Sequence, residues 1–148
     1  MTIWVDADAC PRPIKEILFR AADKRSVHVV LVANQWLQVP RSDFIEFMQV
    51  SHGADIADDE IAEKCEAGDL VVTADIPLAA RVVEKGALAL DPRGTVYDKS
   101  NIGHILGMRN FMDDLRSSGV ETGGPSSFGQ KERLEFSNAL DVFLTKNT

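Results

Sequence analysis

Short apolar runs recur along this chain, each followed by a stretch of helical periodicity, and that alternation limits the fold more than any other feature. "TIWV" (2 to 5) is cut off by Asp6, and "VHVVLVA" (27 to 33) is apolar apart from His28. Further along come "FIEFMQV" (44 to 50), "DLVVTAD" (69 to 75) and "ALAL" (87 to 90). Near-continuous apolar runs fit strands buried on both faces of a parallel sheet, whereas the alternating 44 to 50 run fits a strand with one exposed side. Between them, "RPIKEILFRAADK" sets Ile14, Ile17, Leu18, Ala21 and Ala22 on one helical face, with Pro11 and Pro13 suited to the first turn. "DDEIAEKCEAG" reads as a short helix with Ile61, Ala62 and Cys65 inward, ended by Gly68, and "IPLAARVVEKG" as a helix ended by Gly86. Strands alternating with helices predict a three-layer, doubly wound, mainly parallel α/β sheet.

After Leu90 the pattern changes. Residues 91 to 101 read as a turn-rich loop, and 102 to 116 as a helix with Ile102, Ile105, Leu106, Met112 and Leu115 inward. Residues 117 to 130 form a Gly/Ser/Pro linker. A last helix over about 131 to 145 gathers Phe136, Leu140, Phe143 and Leu144 into a stripe that must pack back on the sheet. With 148 residues, the expectation is a single domain over 1 to 148.

Composition removes several classes of function. Apolar residues at 45% and charged residues at 26% exclude a disordered chain. No apolar run approaches the roughly 20 residues that cross a bilayer, and Asp6 and Asp8 break any secretory leader. The expected location is the cytoplasm, with no membrane partner. Cys10 and Cys65 lack disulfide-scaffold density and should be reduced, while His28, His52 and His104 show no zinc-ligand spacing. The net charge of −7 opposes generic polyanion binding, yet all of the excess lies in residues 1 to 75, where 14 acids face 7 bases. Residues 76 to 148 hold 9 of each.

In doubly wound sheets ligands bind beyond the carboxyl ends of the strands. There the chain places Asp6 and Asp8 after the first strand, Asn34 after the second, and Thr73 and Asp75 after the fourth; Asp58 and Asp59 open the short helix. Carboxylates brought together repel unless a cation lies between them, and Mg²⁺ or Mn²⁺ prefers such oxygens and keeps positions open for phosphate. The expected metal ligands are Asp6, Asp8, Asp58, Asp59 and Asp75, with Asp6, Asp59 and Asp75 as the catalytic core. Held beside a phosphodiester, such a cup performs hydrolytic nuclease chemistry.

Competing readings exist for each residue. Asp8, Asp58 and Asp75 each precede a helical pattern and suit an N-cap. Cys10 at a helix start has the position of a nucleophilic thiol, but neighbouring carboxylates oppose its ionisation and a packed Cys is the plainer reading. Lys15 and Asn34 are candidate substrate contacts along with Thr73, and Trp36 is placed to stack on a base or to cover a core edge. Arg93, Lys99, Arg109, Lys131 and Arg133 are phosphate-contact candidates that equally well solvate a face. The "GGPSSF" segment lacks a phosphate-loop pattern and reads as a tether.

Taken together, "VDADACP", "GADIADDEIAEKCEAGDLVVTADIPLA", "LDPRGTVYDKSNI" and "GGPSSF" resemble the YaiI/YqxD family of small, functionally uncharacterised bacterial proteins over essentially the whole chain. That family is similar to the PIN-like domains, metal-dependent ribonucleases with acids at the ends of parallel strands. The resemblance implies a PIN-like fold with Asp6 as the first acid, Asp58 or Asp59 as a middle acid, and Thr73 with Asp75 as the Thr-x-Asp signature. It implies RNA as a substrate class. Asp8, Cys10 and the C-terminal linker and helix depart from the PIN-like pattern. Two other functions fit the residues. One is a catalytically silent PIN-like module that binds RNA or protein. The other is a haloacid dehalogenase-type phosphatase, since "VDADAC" imitates D-x-D, although Cys10 stands where that motif has Thr or Val.

Overall fold

The computed structural model describes residues 1–53, 55–119 and 128–147. Six strands form one sheet in the order β3-β2-β1-β4-β5-β6. They are β1 (Thr2–Asp6), β2 (His28–Ala33), β3 (Ile45–Gln49), β4 (Leu70–Val72), β5 (Leu88–Leu90) and β6 (Val96–Tyr97). The first five are parallel, and β6 closes the far edge as the antiparallel arm of a hairpin with β5. Five helices cover the sheet: α1 (Arg12–Arg25), α2 (Ile56–Lys64), α3 (Ile76–Glu84), α4 (Ile102–Ser117) and α5 (Gln130–Asn147). The doubly wound α/β reading holds.

Strand β1 feeds β2 on one side, and β4 feeds β5 on the other. Crossovers of one hand therefore put α1 and α3 on opposite faces. On the α1 face, Ile14, Leu18 and Ala22 pack against Ile3, Val5, Val29 and Leu31. On the α3 face, Leu78, Ala79, Val82 and Val83 join Ile61 and Ala62 of α2 over Val30, Val32, Val71 and Ala89. This arrangement leaves the β4–β5 half of the α1 face with no crossover helix. Helix α5 fills it, burying Phe136, Leu140, Phe143 and Leu144 beside Leu70, Val72 and Leu90. The hairpin between β5 and β6 meets α5 so closely that a Cβ on Gly94, whose φ is +99°, would lie 2.8 Å from the Glu135 carbonyl carbon. Only glycine fits there.

Several local details differ from the sequence reading. Residues 91 to 101 contain the two-residue strand β6, too short to show alternation; its Tyr97 is buried. Helix α2 starts at Ile56, two residues earlier than expected, and ends at Lys64 rather than at Gly68. Cys65 turns extended after its N–H reaches Ile61 O, and Lys85 of the α3 terminus donates to the freed carbonyls of Ala62 and Glu63 at 2.8 and 2.9 Å. Helix α4 buries none of its residues fully; Ile102 and Ile105 are half-buried against the α3-face core. The linker expected over 117 to 130, with most of "GGPSSF", lies largely outside the described residues. No described helix is long and apolar enough to cross a membrane.

One buried carboxylate at the amino end of the sheet escaped the sequence reading. Asp69 accepts from Thr2 N–H at 2.9 Å, Trp4 Nε1–H at 3.1 Å and Glu66 N–H at 2.9 Å, and so staples β1 to the turn before β4. Replacing it strands three donors, each worth roughly 1–3 kcal/mol when left unsatisfied and buried. Urea denaturation should show Asp69→Ala destabilised by about 3 kcal/mol or more, with Asp69→Asn losing less because its amide oxygen still accepts.

Candidate functional site

The order of the sheet reverses between β1 and β4, the position where open α/β sheets form a crevice beyond their carboxyl ends. Val5 pairs with Val72 in the parallel register, so one further step sets Asp6 beside Thr73. The Thr73 hydroxyl donates to Asp6 Oδ2 at 3.0 Å and accepts the Asp75 N–H at 3.0 Å. A single buried hydroxyl thus orients the acids of two strands. Asp75 is also the N-cap of α3, its Oδ1 accepting from Leu78 N–H at 2.9 Å, which fixes its side chain over the crevice.

Helix α2 supplies the third acid. Its N-cap is Asp55, in a left-handed conformation at φ 67°, with Asp58 and Asp59 in the first turn, where the helix dipole favours negative charge. Neighbouring helical positions point about 100° apart. Asp58 lies near enough to Asp6 and Asp75 to feel the charges of both. Asp59 turns outward and pairs with Arg81 at 2.9 Å. The structure therefore brings Asp6, Asp58 and Asp75 together and leaves Asp59 outside the group.

Burial and mutual repulsion shape the protonation of this cluster. Desolvation raises the Asp6 carboxyl above its usual range, helped by Asp75 and Asp8 and opposed by the Thr73 hydrogen bond. Asp58 is pushed up to about 7, first by burial and then by the charges of Asp6 and Asp75. Asp8 stands on a 3-10 turn, Ala7–Ala9, and is no helix cap; its Oδ2 accepts from Asn34 N–H at 2.8 Å, tying the end of β2 to the site. The Asn34 backbone makes that contact. Lys15 faces the buried Cys10, whose thiol is pushed up to about 12 by desolvation, partly offset by Lys15. A thiol so protonated is packing, not a nucleophile. Cys65 is likewise free and buried.

The oxygens around the crevice are hard donors suited to Mg²⁺ or Mn²⁺. Among the described residues, no group of three or more His, Cys, Asp or Glu side chains is placed to hold a metal ion. Asp6 and Asp75 each keep an oxygen outside the hydrogen bonds to Thr73 and Leu78.

Residues 4–146 match the family model described as "Uncharacterized BCR, YaiI/YqxD family". The chain belongs to the YaiI/YqxD family. It is similar to proteins named UPF0178 from Dechloromonas aromatica (59% identical over 146 residues), Shewanella pealeana (58% over 147) and Maridesulfovibrio salexigens (55% over 147). Each alignment covers 99% of this chain and 97% of the relative. No solved structure matches the chain significantly. For this YaiI/YqxD protein the acidic crevice at the strand-order reversal is the candidate site.

Asp58 links the site to stability. Its folded-state pKa is above the ordinary carboxylate value of 3.8, so the native state binds the extra proton and is favoured at low pH. That stabilisation is lost as pH rises through about 7. Thermal melts of the metal-free protein should show the midpoint falling across this window, and Asp58→Asn, which is neutral at every pH, should flatten the dependence and melt higher at pH 8 than the parent. A parent midpoint independent of pH would contradict the raised Asp58 pKa.

Proposed function

We propose that this protein is a Mg²⁺- or Mn²⁺-dependent phosphodiesterase of the ribonuclease type, working in the cytoplasm on RNA. The observation that carries the reading is the convergence of Asp6, Asp58 and Asp75, with Thr73 orienting two of them, at the strand-order reversal where α/β ligands bind. Three crowded carboxyls of this kind would have their repulsion relieved by a cation. The position of Asp6, Asp58 and the Thr73/Asp75 pair also supports the PIN-like resemblance.

In this reading Asp6, Asp58 and Asp75 would hold the cation, and the chemistry it would supply when bound is activation of water and charge neutralisation at the phosphate. Thr73 does the positioning: its hydroxyl orders Asp6 and the start of α3 together, leaving their other carboxylate oxygens toward the crevice. Asp8 anchors the start of the loop after β2, so the opening of the site is set by Asn34. Asp59 and Arg81 neutralise one another on the α2–α3 surface outside the reacting group.

Purified protein should cleave a labelled single-stranded RNA only when Mg²⁺ or Mn²⁺ is added. Asp6→Asn, Asp58→Asn and Asp75→Asn should each lower the rate by about a hundredfold or more, given the several kcal/mol that such electrostatic stabilisation supplies. Asp59→Asn should change it less than about threefold, and Thr73→Val should weaken metal affinity roughly tenfold, as loss of an orienting partner does. Metal-independent cleavage, or full activity in Asp58→Asn, would sink the proposal. A Mn²⁺-induced thermal shift without turnover would instead mark a PIN-like binding module, and a phosphoenzyme trapped on Asp6 a haloacid dehalogenase-type phosphatase.

A further inference from the structure

Between the first turns of α1 and the loop joining β2 to β3 lies a groove of about 630 Å³. Its apolar side consists of Phe19, Leu37, Val39 and Pro40, and its ionisable groups are Arg12, Lys15 and Glu16. The loop is not slack. Asn34 holds its start to Asp8 and receives Gln49 Nε2–H on its carbonyl at 3.4 Å, and Leu37 and Val39 are half-buried against the α1-face core. Alternation along this extended segment turns Trp36 outward, 70% exposed. Among the described residues it is the most exposed of the large apolar side chains, held out by anchored neighbours.

Trp36 precedes the lining residue Leu37 in the chain, and an exposed indole beside an apolar slot with two cations has the chemistry that takes up unpaired bases with their phosphates. The apolar side offers a surface to a base, and Arg12 and Lys15 offer charge to a phosphate backbone. Among the described residues Arg12 pairs with Glu16, at 3.6 Å with both side chains largely exposed, a contact weak enough to exchange for phosphate. The groove also adjoins the acidic crevice. Asn34, two residues before Trp36, is bonded to Asp8, and Lys15 faces Cys10, which itself feels Asp6.

We propose that this groove seats the single-stranded polynucleotide segment flanking the phosphodiester presented to Asp6, Asp58 and Asp75, with Trp36 stacking on a base and Arg12 and Lys15 contacting phosphates. The assignment rests on the phosphodiesterase reading of the acidic crevice. It supplies the missing basic surface in a chain of net charge −7 and restricts the substrate to unpaired strands, because a paired base has no free face to offer Trp36.

The test separates binding from cleavage. Anisotropy of fluorescein-labelled oligouridylate, oligothymidylate and a blunt RNA duplex is measured with the full chain in EDTA, where metal-dependent cleavage cannot occur. Single strands should bind with strong salt dependence and the duplex more weakly, and single-strand binding should quench tryptophan emission. Trp36→Ala should weaken single-strand binding about tenfold and abolish most of the quenching. Lys15→Glu and Arg12→Glu should weaken it and flatten the salt slope by roughly one phosphate contact each. Uridylate binding tighter than thymidylate would add recognition of the 2′-hydroxyl, and equal binding would leave any single strand as ligand; both support the groove. Trp36→Ala binding at parent affinity, or no single-strand binding at all, would overturn it. Trp36-dependent binding without cleavage in Mg²⁺ or Mn²⁺ would remove the hydrolytic reading but keep the binding site. Cleavage with Trp36→Ala at the parent rate and affinity would do the opposite. Trp36 is exposed and Lys15 and Arg12 lie on a helix surface, so a circular dichroism melt should place all three variants near the parent.

Discussion

The contact between β1 and β4 is the constraint on which everything else in this protein depends. It joins the two halves of the sheet through three register pairs only, Ile3 with Leu70, Trp4 with Val71 and Val5 with Val72. Carboxylates clamp the seam at both ends. Asp69 gathers Thr2, Trp4 and Glu66 at the amino end, and Asp6 takes the Thr73 hydroxyl at the carboxyl end. A one-residue slip would turn every side chain of β1 to the wrong face and break both clamps at once. The same pairing that holds the fold therefore sets the distance between the acids of the site.

Much of this was legible in the sequence because the relevant signals are local. Apolar runs marked β1, β2, β4 and β5, the alternating pattern of residues 44 to 50 matched edge strand β3, and Asp75 read correctly as an N-cap. What could not be read depends on phase or on distant partners. Whether Asp58 or Asp59 faces the crevice is decided by where α2 begins, and Asp55 in its left-handed conformation sets that start. The three partners of Asp69 include two that lie 67 and 65 residues away, invisible to any window along the chain. Strand β6 has two residues, and its place is marked by pairing with β5 and by the Tyr97 hydroxyl reaching Asp91 Oδ2 at 3.4 Å, not by any pattern along the chain.

Charge is distributed to match this architecture. Asp6, Asp58 and Asp75 meet at the carboxyl end of the sheet, where the Thr73 hydroxyl eases the cost of crowding, while Asp69 is spent at the amino end. Basic side chains on the same half stand along the first turns of α1, beside the crevice rather than in it. Cys10, which first looks reactive because of its position, is buried in the α1-face core.

The placement of α5 has a bearing on how the molecule is made. Because no crossover helix covers the β4–β5 half of the α1 face, Leu70, Val72 and Leu90 stay uncovered on a growing chain until residues 130 to 147 have left the ribosome. The contacts that close the core thus join β4, β5 and α1 to α5, with an ion pair from Arg25 to Asp141, 116 residues apart, on the surface beside them. Such long-range closure carries a high loop-closure cost. Until α5 docks, the chain holds the acids of the site without the packed sheet that aims them.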